Sequence, residues 1–490
     1  MKSKKKLINF VIVFRIIGWL LMIEAGFMLF PMLTALIYEE RDLEAFAISA
    51  GITFVVGLIL TFGIRPKRKD MGKREGFLLT ALVWIVFSCF GMIPFMISDL
   101  HLDLSDAFFE SMSGFTTTGA SVMEGVEHLS HGVLLWRCLM QWIGGLGIIL
   151  FTLAVLPMLN HSGGMQMFNA EVTGITRDKI RPRVSQTAKG LWGVYITLTV
   201  LMTFLLWLGP MNIFDSICHA LSSVSTGGFS TRNESIGAWN SNYIKVIVTI
   251  FMFFGGVNFA LIYKAAHGDF RSLWKNDTLM LFLKMIGFAY ICFVLAIVIN
   301  DQILSWESLI IDPIFQIIST ITSTGLTAHN FENWGGFSIA ILVVLMFFGG
   351  CAGSTSGGAK VDRALYLIQN SRNEIRRCLH PNSMMSVRIN GRIIPPDIVS
   401  KVTAFLCLYV ITIAAGGALL TIFNIPLADA FFSSFSCVCN SGLGADVTGY
   451  GETYAQIPDV GKWILSFQML IGRLELFTIL VLFAPTFWRK

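Results

Sequence analysis

Asp106-AFFESMSGF-Thr116-Thr117-Thr118-Gly119 is one of four copies of a single pattern. The others are Asp215-SICHALSSV-Ser225-Thr226-Gly227-Gly228, Asp312-PIFQIISTI-Thr322-Ser323-Thr324-Gly325 and Asp429-AFFSSFSCV-Cys439-Asn440-Ser441-Gly442. In each, an aspartate opens a short amphipathic run and a glycine closes a small polar tetrapeptide thirteen positions later. Such a run is too short to cross a hydrocarbon core of ~30 Å, which takes about 20 residues. It reads as a half-helix that enters the membrane and returns to the same face, a geometry allowed only where the return is buried in protein or lines water. One Ser/Thr/Gly run could be an ordinary outer turn; four at constant spacing are not.

Working outward, the chain of 490 residues is 54% hydrophobic and only 14% charged, which excludes a soluble globular protein. Apolar runs fall near 8–37, 43–64, 76–98, 133–159, 190–209, 241–263, 277–299, 337–370, 397–423 and 460–488. The first follows Lys2, Lys4, Lys5 and Lys6, and it is too long for a signal peptide and has no small-residue cleavage site, so it reads as a retained span. Basic residues crowd the N-terminus, 65–75, 177–189, 264–275, 360–401 and Arg489-Lys490, while the alternate connections are neutral or mildly acidic. The positive-inside rule then places both termini in the cytoplasm and all four half-helices outside. Of the nine cysteines, Cys437 and Cys439 form the one pair with metal-like spacing, but no soft ligand accompanies them and they read as small packed residues.

The expected fold is an all-α polytopic membrane protein with four parallel helix–pore loop–helix repeats around a pseudo-fourfold pore, plus two N-terminal transmembrane helices. The units are 1–75 for the leading pair, then 76–160, 161–270, 271–371 and 372–490. The second span of each repeat also carries small residues at similar depth: Gly144-Gly145, Gly255-Gly256, Gly349-Gly350 and Gly472-Arg473. Small residues let backbones approach closely.

A half-helix descending from outside points its partially negative C-terminal end at the membrane centre, where four such ends stabilise a cation. The aspartates at the other ends, Asp106, Asp215, Asp312 and Asp429, suit caps rather than ion ligands. The filter candidates are Thr116, Thr117, Thr118 and Gly119; Ser225, Thr226, Gly227 and Gly228; Thr322, Ser323, Thr324 and Gly325; and Cys439, Asn440, Ser441 and Gly442. Their carbonyls can replace an ion's hydration shell. Their glycines supply the positive φ that inward carbonyls need, and their hydroxyls add oxygen or hold loop N–H groups. An oxygen-only lining without a carboxylate ring argues for an alkali cation over calcium.

These features resemble the Trk/Ktr/HKT superfamily of potassium transporters. The two extra leading helices, the first TTTGA loop and the GGCAGSTSGGAK sequence at 349–360 look like its TrkH branch in particular, over nearly the whole chain. The resemblance implies K⁺ as the transported ion and no organic cofactor. It implies as well a place in the bacterial cytoplasmic membrane, a homodimer surrounded by lipid, and a cytosolic nucleotide-binding regulatory subunit. The basic stretch between Ser371 and Lys401 suits such docking; nothing suggests nucleic acid. Each loop has one glycine where the channel TVGYG signature has two, and the fourth departs furthest, so discrimination of K⁺ from Na⁺ or Rb⁺ should be weaker.

Within 349–360, Gly349, Gly350, Gly353, Ser354, Thr355, Ser356, Gly357 and Gly358 cannot hold a helix at roughly 1 kcal/mol per glycine. They predict an unwound segment beside an aqueous path. A nucleotide P-loop fails, because Ala359 precedes Lys360 and no hydroxyl residue follows it. The resemblance makes this segment the gate. Arg473, deep in the last span, should face the pore and touch that segment; pairing with Glu475 is disfavoured by their spacing. Arg137 and Lys245 read as snorkelling residues near outer span ends. Arg15 and Glu24 in the first span can pair with neighbours and are assigned no role. No nucleophile with a base, and no HExxH, supports an enzyme. A symporter with alternating access is the alternative to a channel-like path. Only the third repeat's second span looks broken in sequence, which favours the channel-like path.

Overall fold

The computed structural model describes residues 8–63, 71–145, 147, 184–299, 305–330, 334–382, 385–444 and 453–489. The expected stretches 65–70 and 148–183, with the inner end of the first repeat's second span, lie outside them. The described residues are helical apart from loops and one hairpin, in which Arg388–Ile389 pairs antiparallel with Arg392–Ile393. Asn390 and Gly391, both at positive φ, make its turn. Asn-Gly is the residue pair that a two-residue hairpin turn favours, so this element was legible in the basic stretch.

Phe10–Ile37 and Leu43–Phe62 form the leading pair. They cross where Gly18 and Gly57 face one another, since a Cβ on either would meet the other's carbonyl. Their connection grips the first repeat: Glu40 accepts hydrogen bonds from the backbone N–H groups of His131 and Gly132 at 2.7 and 3.1 Å. Glu24 is fully buried, and neither carboxylate oxygen has a hydrogen-bond partner among the described residues, so the expected pairing does not form.

The half-helices are Leu104–Phe115, Ile213–Val224, Trp306–Ile321 and Leu427–Cys439. Among the described residues six helices are long and apolar enough to cross a membrane, or eight if two bent pairs each count as one span. Of the ten runs in the sequence, 133–159 is described only in its first part, and the second spans of the other three repeats do not run straight. Asn242–Gly256 and Phe259–Ala266 meet at 107°, and Asp459–Arg473 and Phe477–Phe483 at 115°. In the third repeat, Gly336–Phe348 stops and Val361–Leu379 resumes twelve residues later. The expectation that only the third repeat is broken is therefore wrong. Gly255-Gly256 ends one helix and the side chain of Asn258 caps the next, accepting from Ala260 N at 2.8 Å. In the fourth repeat Glu475 adopts φ 51° just past Gly472-Arg473. The shared small residues mark breaks as well as close packing.

Asn9 N donates to Glu75 Oε1 and Arg74 Nη1 to the carbonyl of Arg489, both at 2.9 Å, so the two chain ends lie at one end of the molecule.

Candidate ion pathway

Each half-helix ends the same way. The second residue of the tetrapeptide is left-handed: Thr117 (φ 55°), Thr226 (54°), Ser323 (51°) and Asn440 (51°). Its N–H bonds back three residues, to the carbonyls of Gly114, Ser223, Thr320 and Cys437. The next N–H reaches back five, to Ser113, Ser222, Ser319 and Ser436. That pair of bonds is a Schellman motif, a helix ending usually built on glycine. Asparagine tolerates the conformation; a β-branched threonine there is an outlier, and a strained residue of this kind costs about 1–3 kcal/mol. The sequence reading saw the fourth-position glycine and missed this second turn, whose only trace is a polar residue at a constant place.

The fourth-position glycines, Gly119, Gly228, Gly325 and Gly442, also have positive φ, between 68° and 86°. A Cβ on Gly119 would collide with the carbonyl oxygen of Gly227. One on Gly228 would strike that of Thr324, one on Gly325 that of Ser441, and one on Gly442 that of Thr118. Each loop thus abuts the next in chain order and the last abuts the first. The four loops close a ring.

Side chains hold the loops from behind. Thr116 Oγ1 donates to Met112 O at 2.6 Å and Thr322 Oγ1 to Ile318 O at 2.7 Å, so these two hydroxyls donate to half-helix carbonyls. Gln141 Oε1 accepts from Ser222 Oγ (2.9 Å) and Phe229 N (3.1 Å), while its Nε2 donates to Gly227 O (2.7 Å). A carbonyl oxygen has two lone pairs, so the last bond leaves one. Asn440 Nδ2 donates to Thr118 Oγ1 and to Met469 O. Thr117 Oγ1 and Ser441 Oγ are buried without a partner among the described residues. Neither Gln141 nor Asn440 could be assigned its role from spacing, because their partners lie far along the chain.

Several charged residues differ from expectation. Arg137 does not snorkel: its side chain is 3% exposed, and Nε lies 2.7 Å from Oε1 of the fully buried Glu110. Glu110 also accepts from Val122 N at 2.9 Å, just past the first tetrapeptide. Lys245 is likewise buried, 2.7 Å from Asp312. Desolvating either cation near the membrane is tolerable only with a partner so close. The four aspartates are not N-caps. Asp103 and Asn212 occupy that position in the first two half-helices, and Asp312 lies inside the third. Asp106, Asp215 and Asp429 instead stand third in the first helical turn, where a carboxylate still complements the positive pole of the helix, and only Asp312 lies beyond it. Asp106 Oδ1 lies 2.5 Å from Lys462 of the fourth repeat. Asp215 accepts from Thr231 Oγ1 and Asn212 Nδ2, and Asp429 is buried.

Beneath the ring, residues 349–360 are unwound, with Gly349, Gly353, Gly358 and Lys360 at positive φ. The segment is tied to the second repeat through Cys351 N to Gly256 O (2.9 Å) and Thr355 Oγ1 to Gly255 O (3.0 Å) and Val224 O (3.2 Å). It meets its own repeat through Gly357 N to Ser323 Oγ (2.5 Å), with Ser356 Oγ 3.1 Å from the same hydroxyl. Gly358 N donates to Cys439 O of the fourth repeat at 2.9 Å. Gly350 N donates to Ser356 Oγ, and Ser354 Oγ to Cys351 O. Arg473 completes the crossing: Nη1 donates to Thr355 O (2.8 Å), and Nη2 to Gly144 O (2.6 Å) and Gly145 O (2.9 Å) of the first repeat. Glu475 pairs instead with Arg363, at 2.5 Å. Thr355, Ser356 and Gly357 are buried in this position, where the segment fills the space under the ring.

A family model described as TrkH, cation transport protein, matches residues 43–490. The Trk system potassium uptake protein TrkH of Salmonella typhimurium is 37% identical over 487 residues, 97% of this chain and 99% of the relative. TrkG of Escherichia coli K12, also named a Trk system potassium uptake protein, is 33% identical over 483 residues, 96% of this chain and 97% of its own. The crystal structure of the potassium transporter TrkH from Vibrio parahaemolyticus superposes with a TM-score of 0.89 at 32% identity, covering 98% of this chain and all of that one.

Proposed function

The chain belongs to the TrkH family of cation transport proteins, and from that premise we propose that it takes up potassium across the bacterial cytoplasmic membrane. It is a transport protein rather than an enzyme. The ion passes through a filter lined by the tetrapeptides at 116–119, 225–228, 322–325 and 439–442, and the segment 349–360 with Arg473 is the gate. The observation that carries this reading is the closed ring of glycine–carbonyl contacts. A ring of loops at the C-terminal ends of four half-helices concentrates oxygen dipoles on one axis, which favours a dehydrating alkali cation and repels anions. The gate segment bonds directly to the second, third and fourth repeats and reaches the first through Arg473, so the position described is a shut one. The guanidinium adds a positive charge to that barrier.

Charge alternation and the shared location of Asn9, Arg74 and Arg489 support an orientation with both termini in the cytoplasm. In that orientation the exposed Arg372, Arg376 and Arg377, on the amphipathic helix Val361–Leu379, face the cytosol as a docking surface for a nucleotide-binding regulatory subunit. A second copy of the chain completes the assembly in the membrane.

Coupled symport is the second reading, and the bends of 107° and 115° support it, because broken spans are not confined to one repeat. Uptake of radiolabelled rubidium and sodium into liposomes containing this chain alone, with and without an imposed pH or sodium gradient, tests both. Rubidium uptake driven by its own gradient supports the filter pathway. Uptake only when a second ion gradient is imposed supports symport, and equal rubidium and sodium entry removes the selectivity claim.

A further inference from the structure

Away from the ion pathway, a cleft of ≈ 380 Å³ opens between the short helix Phe259–Ala266, the connection that follows it and the 388–393 hairpin. Four of its lining residues are cationic, Lys264, Arg271, Lys275 and Arg392, against the single carboxylate of Asp269. Two asparagines line it as well. The carboxamide oxygen of Asn276 accepts from Leu279 N at 2.9 Å and that of Asn390 from Asp277 N at 2.8 Å. With both oxygens engaged, the NH₂ groups are the ends left to donate. The cleft is therefore a concave set of cations and neutral donors, the lining a phosphate diester selects.

A second observation says what carries that phosphate. Phe270 and Trp274, interleaved with Arg271 and Lys275, are 64% and 73% exposed. Large aromatic rings standing out beside basic side chains at the end of a span suit the headgroup level of a bilayer, where one end of the ring is apolar and the other wet. In the orientation proposed above, the connection 264–275 lies at the inner leaflet, whose anionic lipids attract such clusters. A soluble anion would use the cations and have no need of the rings.

We propose that this cleft binds the headgroup of an anionic phospholipid of the inner leaflet, the phosphate among Lys264, Arg271, Lys275 and Arg392 and the glycerol and acyl chains against Phe270 and Trp274. The site is one step from the gate. Leu261, on its wall, sits on the helix whose cap Asn258 donates to Ala352 O at 2.7 Å and whose Phe259 N donates to Gly353 O at 3.0 Å. An effect on flux would rest on the gate assignment, whereas lipid binding stands without it, so binding is the quantity measured.

Native mass spectrometry of the full chain in detergent, titrated with phosphatidylglycerol or phosphatidylcholine, counts bound lipids directly. The wild type should hold a phosphatidylglycerol more tightly than a phosphatidylcholine. Combining Arg271→Gln, Lys275→Gln and Arg392→Gln should weaken that binding by at least about ten-fold, given the contribution of each basic residue at a phosphate surface. Exchanging the charges conservatively, with Arg271→Lys and Lys275→Arg, should retain it and so separates lost charge from lost folding. Trp274→Ala should shorten retention of the lipid. Equal binding of the two lipids, an unaffected triple variant, or displacement of the lipid by inorganic phosphate would overturn the proposal, the last by making this a site for a soluble anion.

Discussion

The side-chain amide of Asn440 donates to Thr118 Oγ1 at 3.0 Å, joining the fourth loop to the first across 322 positions of sequence. The same amide donates to Met469 O, and the residue itself occupies the left-handed turn. One side chain therefore fastens the seam at which the ring closes. Asn440→Ala removes both bonds and leaves an alanine at φ near 50°. It should cost roughly 1–3 kcal/mol of stability and lower the rubidium-to-sodium uptake ratio, read by thermal unfolding in detergent and by liposome flux. Unchanged values in both would show that the seam does not depend on this residue.

Gly119→Ser meets two obstacles, a φ of +84° and the carbonyl of Gly227 where its Cβ would lie. The protein should still insert, because the spans are untouched. Its preference for potassium over sodium should fall, measured as competition between the two ions for uptake. A folded variant with wild-type preference would count against the filter assignment.

Arg473 spans from Thr355 O to Gly144 O and Gly145 O, three acceptors that a planar guanidinium reaches together and an ammonium does not. Arg473→Lys should therefore raise basal flux through the isolated chain several-fold while leaving ion preference intact. Arg473→Met should raise it further, since the positive charge is lost as well. Flux no higher than wild type in well-folded variants would separate Arg473 from gating.

Lys245 and Asp312 form a buried pair across the second and third repeats. Lys245→Met strands the carboxylate beside His329 and should destabilise the protein by roughly 3–5 kcal/mol, whereas the double variant with Asp312→Leu should recover most of that loss. Thermal unfolding of both single variants and the double variant gives the coupling. Additive losses would place the two side chains in independent roles.

Gln141→Leu preserves volume but removes the three bonds that hold Ser222, Gly227 and Phe229. Ion preference should drop with little change in protein yield, because the damage is confined to the second loop. Selectivity equal to wild type would mean the loop holds its shape without this clamp.

The fold was largely legible because its determinants are local. A half-helix announces itself by ten or so apolar residues between turn-forming ones, and the repeat by constant spacing. Arg473 was also readable, since an arginine at that depth must find acceptors. The charged residues behind the four loops were not. Arg137 and Lys245 look like snorkelling side chains until Glu110 and Asp312 are brought beside them, and the four aspartates look like caps until the true N-terminal residues are located. Breaks in the second and fourth repeats escaped notice because Gly255-Gly256 and Gly472 read equally as close packing or as a helix end.

By itself the sequence determined that this is a membrane protein of four related units, each with a half-helix and a glycine turn, because hydropathy, length and φ preference act within a few residues. Only the tertiary structure decided that the four turns close on one another, that the segment at 349–360 bonds to three of the repeats and reaches the first through Arg473, and which cation faces which carboxylate. Those contacts join residues up to hundreds of positions apart, and no residue's own preferences encode its distant neighbour; packing the units around one axis does.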